Sequence, residues 1–213
     1  MKVREYQLDK LAEARRLQEE MGKLHVVAPV LSWQYEIKDA DGNIAERGVG
    51  KSNSYTRNAL NTIALFAGAC SSSIISNSVF NDGYISVKDR NGNIAHPTNI
   101  IRSDNVPFVE LGTGTSAESL NDYSVTSSGL TAGVNSANSI FNSTTRKLIT
   151  TIACTFYNNT MATIDVTESG VTLVNDGVSS VVMMLIRDVF TAIPVAAGET
   201  ITWTYVTEVL YPA

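Results

Sequence analysis

The spacing of apolar residues changes near residue 24, and the two periods predict two kinds of structure. Before this point apolar side chains recur every three or four positions, at Leu8, Leu11, Ala14, Leu17, Met21 and Leu24. This spacing places them on one stripe of an α-helix of about five turns. Gly22 lies near its C-terminal end, and Pro29 prevents further extension. We therefore predict a helical arm over residues 1–28.

Beyond residue 28 the period becomes two, which is typical of half-buried strands. Apolar and polar residues alternate over 31–38. One strand face is predicted at Leu148, Thr150, Ile152, Cys154 and Phe156, and another at Ile201, Trp203, Tyr205 and Val209. The run from Val181 to Ile186 is continuously apolar, as in a strand that is covered on both faces. One further segment, Ser54–Ala67, has helical spacing and a following glycine, so we predict a second helix there.

Between Gly112 and Lys147, 22 of 36 residues are Ser, Thr, Asn or Gly, which favours short strands with irregular connections. Many short strands separated by Gly and Asn turns favour an antiparallel sheet structure. The predicted fold is therefore mainly β. It is an antiparallel, jelly-roll-like β-sandwich over residues 29–213, with the N-terminal amphipathic helix and one inserted helix.

Two similar octapeptides, KDADGNIA at 38–45 and KDRNGNIA at 88–95, are predicted to reverse the chain. Asp41-Gly42 and Asn91-Gly92 are strong hairpin signals. A calcium loop of the EF-hand type would need Gly and Glu where the first copy has Ile44 and Gly50. We interpret further glycines as structural turns at Gly112, Gly114 and Gly198.

Motifs for chemistry are incomplete. The segment ending in Gly50-Lys51-Ser52 has Ala45 where a phosphate-binding loop needs glycine. His25 and His96 are the two histidines, and neither has the neighbours of a catalytic triad. Cys70 and Cys154 match no zinc spacing and lie in apolar surroundings, so we predict buried free thiols.

Carboxylates lie in loops or at strand ends, but nothing selects a pair for glycoside hydrolysis. They are Asp104, Glu110, Glu118, Asp122, Asp165 and Glu168. An enzyme such as a small depolymerase stays an alternative. We predict no catalytic residues, no metal and no cofactor.

Charge is unevenly distributed along the chain. Residues 1–24 carry 11 of the 37 charged residues. The net charge of −5 gives no electrostatic basis for binding nucleic acid. No apolar stretch is long enough for a membrane span, and the N-terminus does not resemble a secretory signal. We therefore expect the protein in a cytosol or in a particle assembled there. The sequons Asn142-Ser143-Thr144 and Asn158-Asn159-Thr160 then carry little weight as glycosylation sites.

The order of several short motifs resembles a group of structural proteins of tailed bacteriophages, found in tails, baseplates, collars and fibre attachments. The motifs are TRNALNTIALFAG (56–68), FVELGTGTSAESLNDYSV (108–125), TESGV (167–171) and IRDVFTAIPVAAGETITWTYVTEV (186–209). The resemblance covers residues 30–213. It implies that Gly112 and Gly114 form a turn after a core strand and that Glu168 and Gly170 mark a later strand. A terminal hairpin would contain Arg187, Phe190, Ile193, Gly198 and Trp203.

The resemblance implies a structural subunit of the virion, assembled in the host cytoplasm, that acts through protein–protein contacts and not as an enzyme. Its expected partners are other virion proteins and copies of itself. The helical stripe is the candidate assembly interface, with Leu8, Leu11, Leu17, Met21 and Leu24. It could equally pack on its own sheet. The alternative function is a carbohydrate- or receptor-binding module, which leaves a glycan as a further partner.

Overall fold

The computed structural model describes residues 1–25, 27–52, 87–88, 94–95, 106–118, 124–175 and 181–211. Within these residues the chain forms one helix, α1 (Leu8–Lys23), and eleven strands. The strands are β1 (Lys2–Tyr6), β2 (Pro29–Lys38), β3 (Ile44–Lys51), β4 (Val87–Lys88), β5 (Ile94–Ala95), β6 (Val106–Gly112), β7 (Thr131–Asn142), β8 (Lys147–Tyr157), β9 (Ile164–Asn175), β10 (Val181–Val195) and β11 (Thr200–Leu210).

The predicted fold class is confirmed: the chain is mainly β, of the β-sandwich type, with an N-terminal helix. The strands form a six-stranded sheet in the order β1-β3-β2-β11-β8-β7, a three-stranded sheet in the order β10-β9-β6, and the pair β4-β5. The second predicted helix, over residues 54–67, lies outside the described residues, as do Cys70 and His96.

The contacts divide the chain into two units, and this division differs from the predicted arm over 1–28 and single domain over 29–213. One unit holds Met1–Asn53, Gly129–Asp165 and Ile193–Ala213, and the other holds Ser54–Ser128 and Val166–Ala192. The first 28 residues therefore belong to a unit that also contains the six-stranded sheet. The reason is that α1 lies against β2, β3 and β11 of that sheet.

The N-terminal segment also begins with a strand that the sequence analysis did not foresee. Strand β1 pairs in parallel with β3, from Lys2 opposite Glu46 to Tyr6 opposite Gly50. Gln7 then has a left-handed backbone, with φ of 52°, and α1 starts at the next residue. The predicted helix itself is confirmed over Leu8–Lys23. It continues through Gly22, and the left-handed residue beyond its end is His25, with φ of 57°.

The first octapeptide is confirmed as a chain reversal between β2 and β3. Gly42 has φ of 84°, and its N–H donates to the carbonyl of Asp39 at 3.0 Å. The Asp39 carboxylate accepts from the backbone N–H groups of Asp41 at 3.0 Å and Asn43 at 2.8 Å. The side chain of Asp39 thus stabilises the turn by accepting hydrogen bonds from backbone N–H groups two and four residues later, which is a usual role of Asp in turns.

The second octapeptide has the same pair of residues next to its turn as the first octapeptide. Lys38 pairs with Ile44 in the first copy, and Lys88 pairs with Ile94 at the equivalent positions of the second. Its predicted turn residues, Asn91 and Gly92, lie outside the described part of the chain. One residue farther from the turn the two copies differ, because Ile37 pairs with Glu46 across a bulge whereas Val87 pairs with Ala95.

The core of the six-stranded sheet is a cluster of aromatic rings that lies on two glycines. Trp33 and Trp203 are stacked with centroids 4.8 Å apart, and Tyr35 stacks on Trp203 at 5.6 Å. Gly50 is opposite Trp33 and Gly48 is opposite Tyr35 in the pairing of β2 with β3. A Cβ at either glycine would overlap the facing ring. The segment Gly48–Lys51, which ends the incomplete phosphate-loop motif, is therefore part of strand β3. Its two glycines leave space for the rings of Tyr35 and Trp33.

Cys154 is buried on the same sheet with 3% exposure and is a free thiol, as predicted. Burial raises the pKa of this thiol above its ordinary value. The thiol therefore stays protonated and unreactive near neutral pH.

Candidate functional site

Residues from three of the four motifs named above, those at 108–125, 167–171 and 186–209, meet around one carboxylate in the unit that holds 54–128 and 166–192. Glu168 is completely buried on β9. Its Oε1 accepts hydrogen bonds from the backbone N–H of Gly114 at 2.8 Å and of Thr126 at 2.6 Å. Its Oε2 accepts from Arg187 Nε at 2.7 Å, and Arg187 Nη2 lies at the same distance. The carboxylate thus joins three separate segments.

The guanidinium of Arg187 also contacts the chain that follows β6. Nη2 donates to the carbonyl of Ser116 at 3.2 Å, and Nη1 donates to that of Ala117 at 3.4 Å. Next to them, the Glu118 carboxylate accepts from the backbone N–H of Val189 at 2.8 Å. The charges and backbone groups of this cluster are therefore used to fix segments of the chain.

Gly112 and Gly114 have a different role from the predicted turn. Gly112 is the last residue of β6 and pairs with Glu168, and neither glycine has a left-handed backbone. A Cβ at Gly112 would lie 2.5 Å from Glu168 Oε1, and one at Gly114 would overlap the same oxygen. The glycines are needed because a carboxylate approaches the backbone at this point, so the turn prediction for these two positions is corrected. For Gly198 it holds, since φ is 79° between β10 and β11.

We name this set the carboxylate cluster: Gly112, Gly114, Thr126, Glu168 and Arg187. Of the carboxylates considered for catalysis, Glu168 belongs to this cluster and Glu118 binds the backbone of Val189, so both accept hydrogen bonds from the chain. Asp165 is exposed, while Asp104 and Asp122 lie outside the described residues. In the part of the chain that the structure describes, no three His, Cys, Asp or Glu side chains lie close enough to hold a metal ion. Likewise, no described helix is long and apolar enough to cross a membrane.

In the other unit, the structure divides the predicted helical stripe into two faces. Leu11 is 3% exposed and Leu8 is half-buried, so this face packs within its own unit. Leu17, Met21 and Leu24 are 43%, 38% and 74% exposed. We name these last three residues the exposed stripe. Leu11 is therefore part of a core, and the exposed stripe is what the helix presents on its surface.

Two polar residues that sequence reasoning missed attach the helix to the sheet. Gln18 is 1% exposed, and its amide donates to the carbonyls of Ala28 at 2.6 Å and Glu208 at 2.8 Å. Arg15 forms an ion pair with the Glu208 carboxylate, with Nε at 3.0 Å from Oε1. Gln18 is seven residues after Leu11, so its place on the buried face could have been read from the helical period.

A second surface feature is the outer edge of the six-stranded sheet. β7 is the last strand of that sheet in the described topology, and Ser136–Asn142 are all exposed. It forms a long hairpin with β8, from Thr131 opposite Tyr157 to Asn142 opposite Lys147. Near the hairpin end, Phe141 contacts Tyr211 edge-on with centroids 5.8 Å apart, and both are about half exposed. The hairpin therefore combines an exposed strand edge with exposed aromatic rings.

The four aromatic residues in the core of the six-stranded sheet do not provide a surface for a sugar. Trp33, Tyr35, Trp203 and Tyr205 are between 0% and 3% exposed. The opposite face has an open groove lined by Gln34, Glu36, Arg47, Thr202 and Thr204 among others, and Tyr35 forms part of its floor. Because sugar-binding surfaces commonly use exposed aromatic faces for stacking, these four buried residues lend the glycan-binding alternative no support.

Comparison of the chain with protein-family models, with curated proteins and with solved structures found no match.

Proposed function

We propose that the chain is a structural subunit of a tailed-bacteriophage particle, in the tail, collar, baseplate or fibre attachment, and that it acts through protein–protein assembly. On this proposal the chain is located in the virion, and its partners are other virion proteins and copies of itself. The observation that carries it is the carboxylate cluster. Residues of the motifs at 108–125, 167–171 and 186–209 meet there, and their contacts fix three segments of the chain to one another.

This arrangement supports a structural role for the motifs because of how its polar groups are used. Both oxygens of Glu168 accept two contacts each from the protein, and Arg187 donates to two carbonyls besides. A general acid or base needs a proton that it can exchange with a substrate within hydrogen-bond distance. The charged groups of Glu168 and Arg187 instead bind each other and backbone groups, and so hold the chain in one rigid arrangement. Such rigidity suits a subunit that functions through protein–protein contacts.

The first unit supplies two surfaces for such contacts, the exposed stripe on α1 and the edge of β7. Exposed apolar side chains in a row on a helix are common at protein interfaces. A standard stable interface buries about 1,600 Å² in total, so either surface would need further contacts around it.

Mass spectrometry of purified particles of the phage that encodes the chain tests the proposal. We expect the chain in fixed stoichiometry with the other structural proteins. Its absence from intact particles that carry complete tails would overturn the proposal. A variant with Leu17→Glu and Met21→Glu, compared with Glu13→Gln on an exposed part of the same helix, tests the exposed stripe. We expect the first variant to be lost from particles and the second to be retained.

A further inference from the structure

The outer edge of β7 lacks the features that usually protect an exposed strand. Edge strands expose unpaired N–H and C=O groups, and soluble proteins discourage pairing there with charged side chains or proline. The chain has no charged residue and no proline from Tyr123 to Thr145, a range that includes all of β7. A bulge between Ala132 and Asn135 interrupts the pairing with β8 near one end, but the register is regular from Asn135 to Asn142. The segment Ser136–Asn142 is therefore a regular, uncharged and exposed edge.

From this edge we infer that β7 pairs with β7 of a second copy of the chain, antiparallel and about a two-fold axis, through Ser136–Asn142. The two six-stranded sheets would then form one continuous sheet. This inference deepens the proposed function, because it names the partner of one assembly surface. Its test uses the purified chain alone, so its outcome is independent of whether the chain occurs in phage particles.

Charge favours a second copy in this orientation. The basic residues closest to the edge are Arg146 and Lys147, both at the turn end of the hairpin. Antiparallel pairing over seven residues places the two turns about 23 Å apart, at a rise of about 3.3 Å per residue. That distance is well beyond the Debye length of about 8 Å at physiological ionic strength. Parallel pairing would instead place four basic side chains together.

The side chains of the edge are also compatible with their own copies. Ser136, Asn138 and Ser139 are small or polar, so two identical edges meet without bulk or like charge. Electrostatic complementarity provides much of the specificity of an interface. Because this edge carries no charge, it offers no such complementarity to a charged partner of another kind. Two-fold contacts between identical surfaces are also the commonest form of protein assembly. Ile140 and Phe141, which are 60% and 54% exposed, would lie within the new pairing, opposite Asn138 and Ala137 of the second copy.

A charge-exchange experiment on the full chain tests the inference. Asn138 is exposed, and we substitute it with Asn138→Lys in one variant and Asn138→Glu in another. Sedimentation velocity of the native chain is expected to show a dimer of the 23.0 kDa subunit that dissociates on dilution. Because like charges across the dyad repel, each variant alone should dimerise at least about tenfold more weakly. An equal mixture of the two variants should recover the dimer, since the Lys of one copy and the Glu of the other are then diagonal neighbours on one face of the sheet, on either side of the dyad at Ser139.

The matched control is Met161→Lys, which adds the same charge at a fully exposed position away from the edge. We expect it to dimerise like the native chain. Hydrogen exchange of the native chain gives a second measurement that needs no variant: amides within 136–142 should be protected at high concentration and should exchange on dilution. A native chain that stays monomeric at all concentrations would overturn the inference. So would a dimer that both substitutions leave unchanged, or one without protection in 136–142.

Discussion

Glu168 and Arg187 form an ion pair that is almost completely removed from solvent, with side chains 0% and 6% exposed. They are 19 residues apart on β9 and β10, and each also binds backbone groups of the segment that follows β6. Two buried charges are tolerated in this way because the partner charge and the N–H and C=O groups replace the lost water. The pair therefore fixes the position of the Gly112-Thr113-Gly114 segment relative to the two strands.

Removing one charge of this pair is expected to be costly. Either Glu168→Gln or Arg187→Met would leave the other charge buried without its partner. We expect each to lower the free energy of unfolding by about 3–5 kcal/mol, as is usual for such changes. The double variant should lose less than the sum of the two, because no unpaired charge remains. Urea unfolding followed by circular dichroism measures all three.

The control for this prediction is an exposed ion pair of similar geometry. Arg47 Nη2 lies 2.6 Å from Glu36 Oε2, but these side chains are 48% and 28% exposed. Arg47→Met should therefore cost no more than about 1 kcal/mol. Equal losses at Arg187 and Arg47 would contradict the structural role that we assign to the buried pair.

How far the sequence predicted this structure depends on the range of the interactions. The helix over Leu8–Lys23 and the hairpin between Lys38 and Ile44 follow from local periodicity and turn chemistry, and both were predicted. β1 was missed because its pairing partner is β3, more than 40 residues away, and its own sequence is short and charged. The alternation of strand residues could not show which of them meet in space.

The role of the glycines at 112 and 114 was missed for the same reason. A glycine that gives a left-handed turn and one that gives room to a distant side chain look alike in a sequence. The side chain concerned belongs to Glu168, which is 54 residues beyond Gly114. The resemblance includes the motifs that contain Gly114 and Glu168, but it does not indicate that these two residues are in contact.

Gly114→Ala tests this interpretation of the glycine. The added methyl group would overlap Glu168 Oε1, and the backbone N–H that binds this oxygen would have to move. We expect a loss of at least about 1–3 kcal/mol in the free energy of unfolding, as for other overpacked sites. In a Glu168→Ala background the carboxylate is absent and the methyl group would approach the Thr126 hydroxyl oxygen at 2.8 Å, so the same substitution should cost less. An equal cost in both backgrounds would show that the glycine is needed for another reason.

Asn158 is a second buried polar group whose bonds are all made by the protein. Its amide donates to the carbonyls of Ala162 and Val195, both at 2.8 Å, and its oxygen accepts from the N–H and the hydroxyl of Thr160. Asn158→Ala would remove the amide donor from both carbonyls, although Ala162 keeps a bond from the Thr160 hydroxyl at 3.0 Å, and we expect the substitution to cost about 1–3 kcal/mol. The neighbouring Asn159→Ala is the control. Asn159 is exposed, so less than about 1 kcal/mol is expected from denaturant unfolding.

The two faces of α1 should respond differently to substitution. Leu11→Ala removes a buried side chain and should lower the free energy of unfolding by about 2–5 kcal/mol. Leu17→Ala removes a side chain that is 43% exposed and should cost less than about 1 kcal/mol in the isolated chain. Thermal and urea unfolding of both variants would measure this. A large loss at Leu17 without a loss at Leu11 would contradict the assignment of the faces.

Tyr35 should make the stability of the chain depend on alkaline pH. Its hydroxyl donates to Glu46 Oε1 at 2.6 Å in a buried setting. Burial, and then this hydrogen bond, raise the pKa of Tyr35 well above its ordinary value. In the unfolded chain the same phenol ionises near pH 10. The stabilisation is therefore complete below about pH 10 and is lost as the pH rises above it, because only the unfolded chain then releases the proton.

Tyr35→Phe removes this proton and should flatten the alkaline part of the pH profile. We expect the variant to be less stable than the native chain near neutral pH, because Glu46 loses its hydroxyl partner, and the difference should narrow above about pH 10. Urea unfolding at pH values from about 8 to 11 would measure this difference. Tyr157→Phe, at a position that is 40% exposed, is the control and should keep the native profile because it leaves Tyr35 and its bond to Glu46 in place. Parallel profiles for the native chain and Tyr35→Phe would show that the proton on Tyr35 does not contribute to stability.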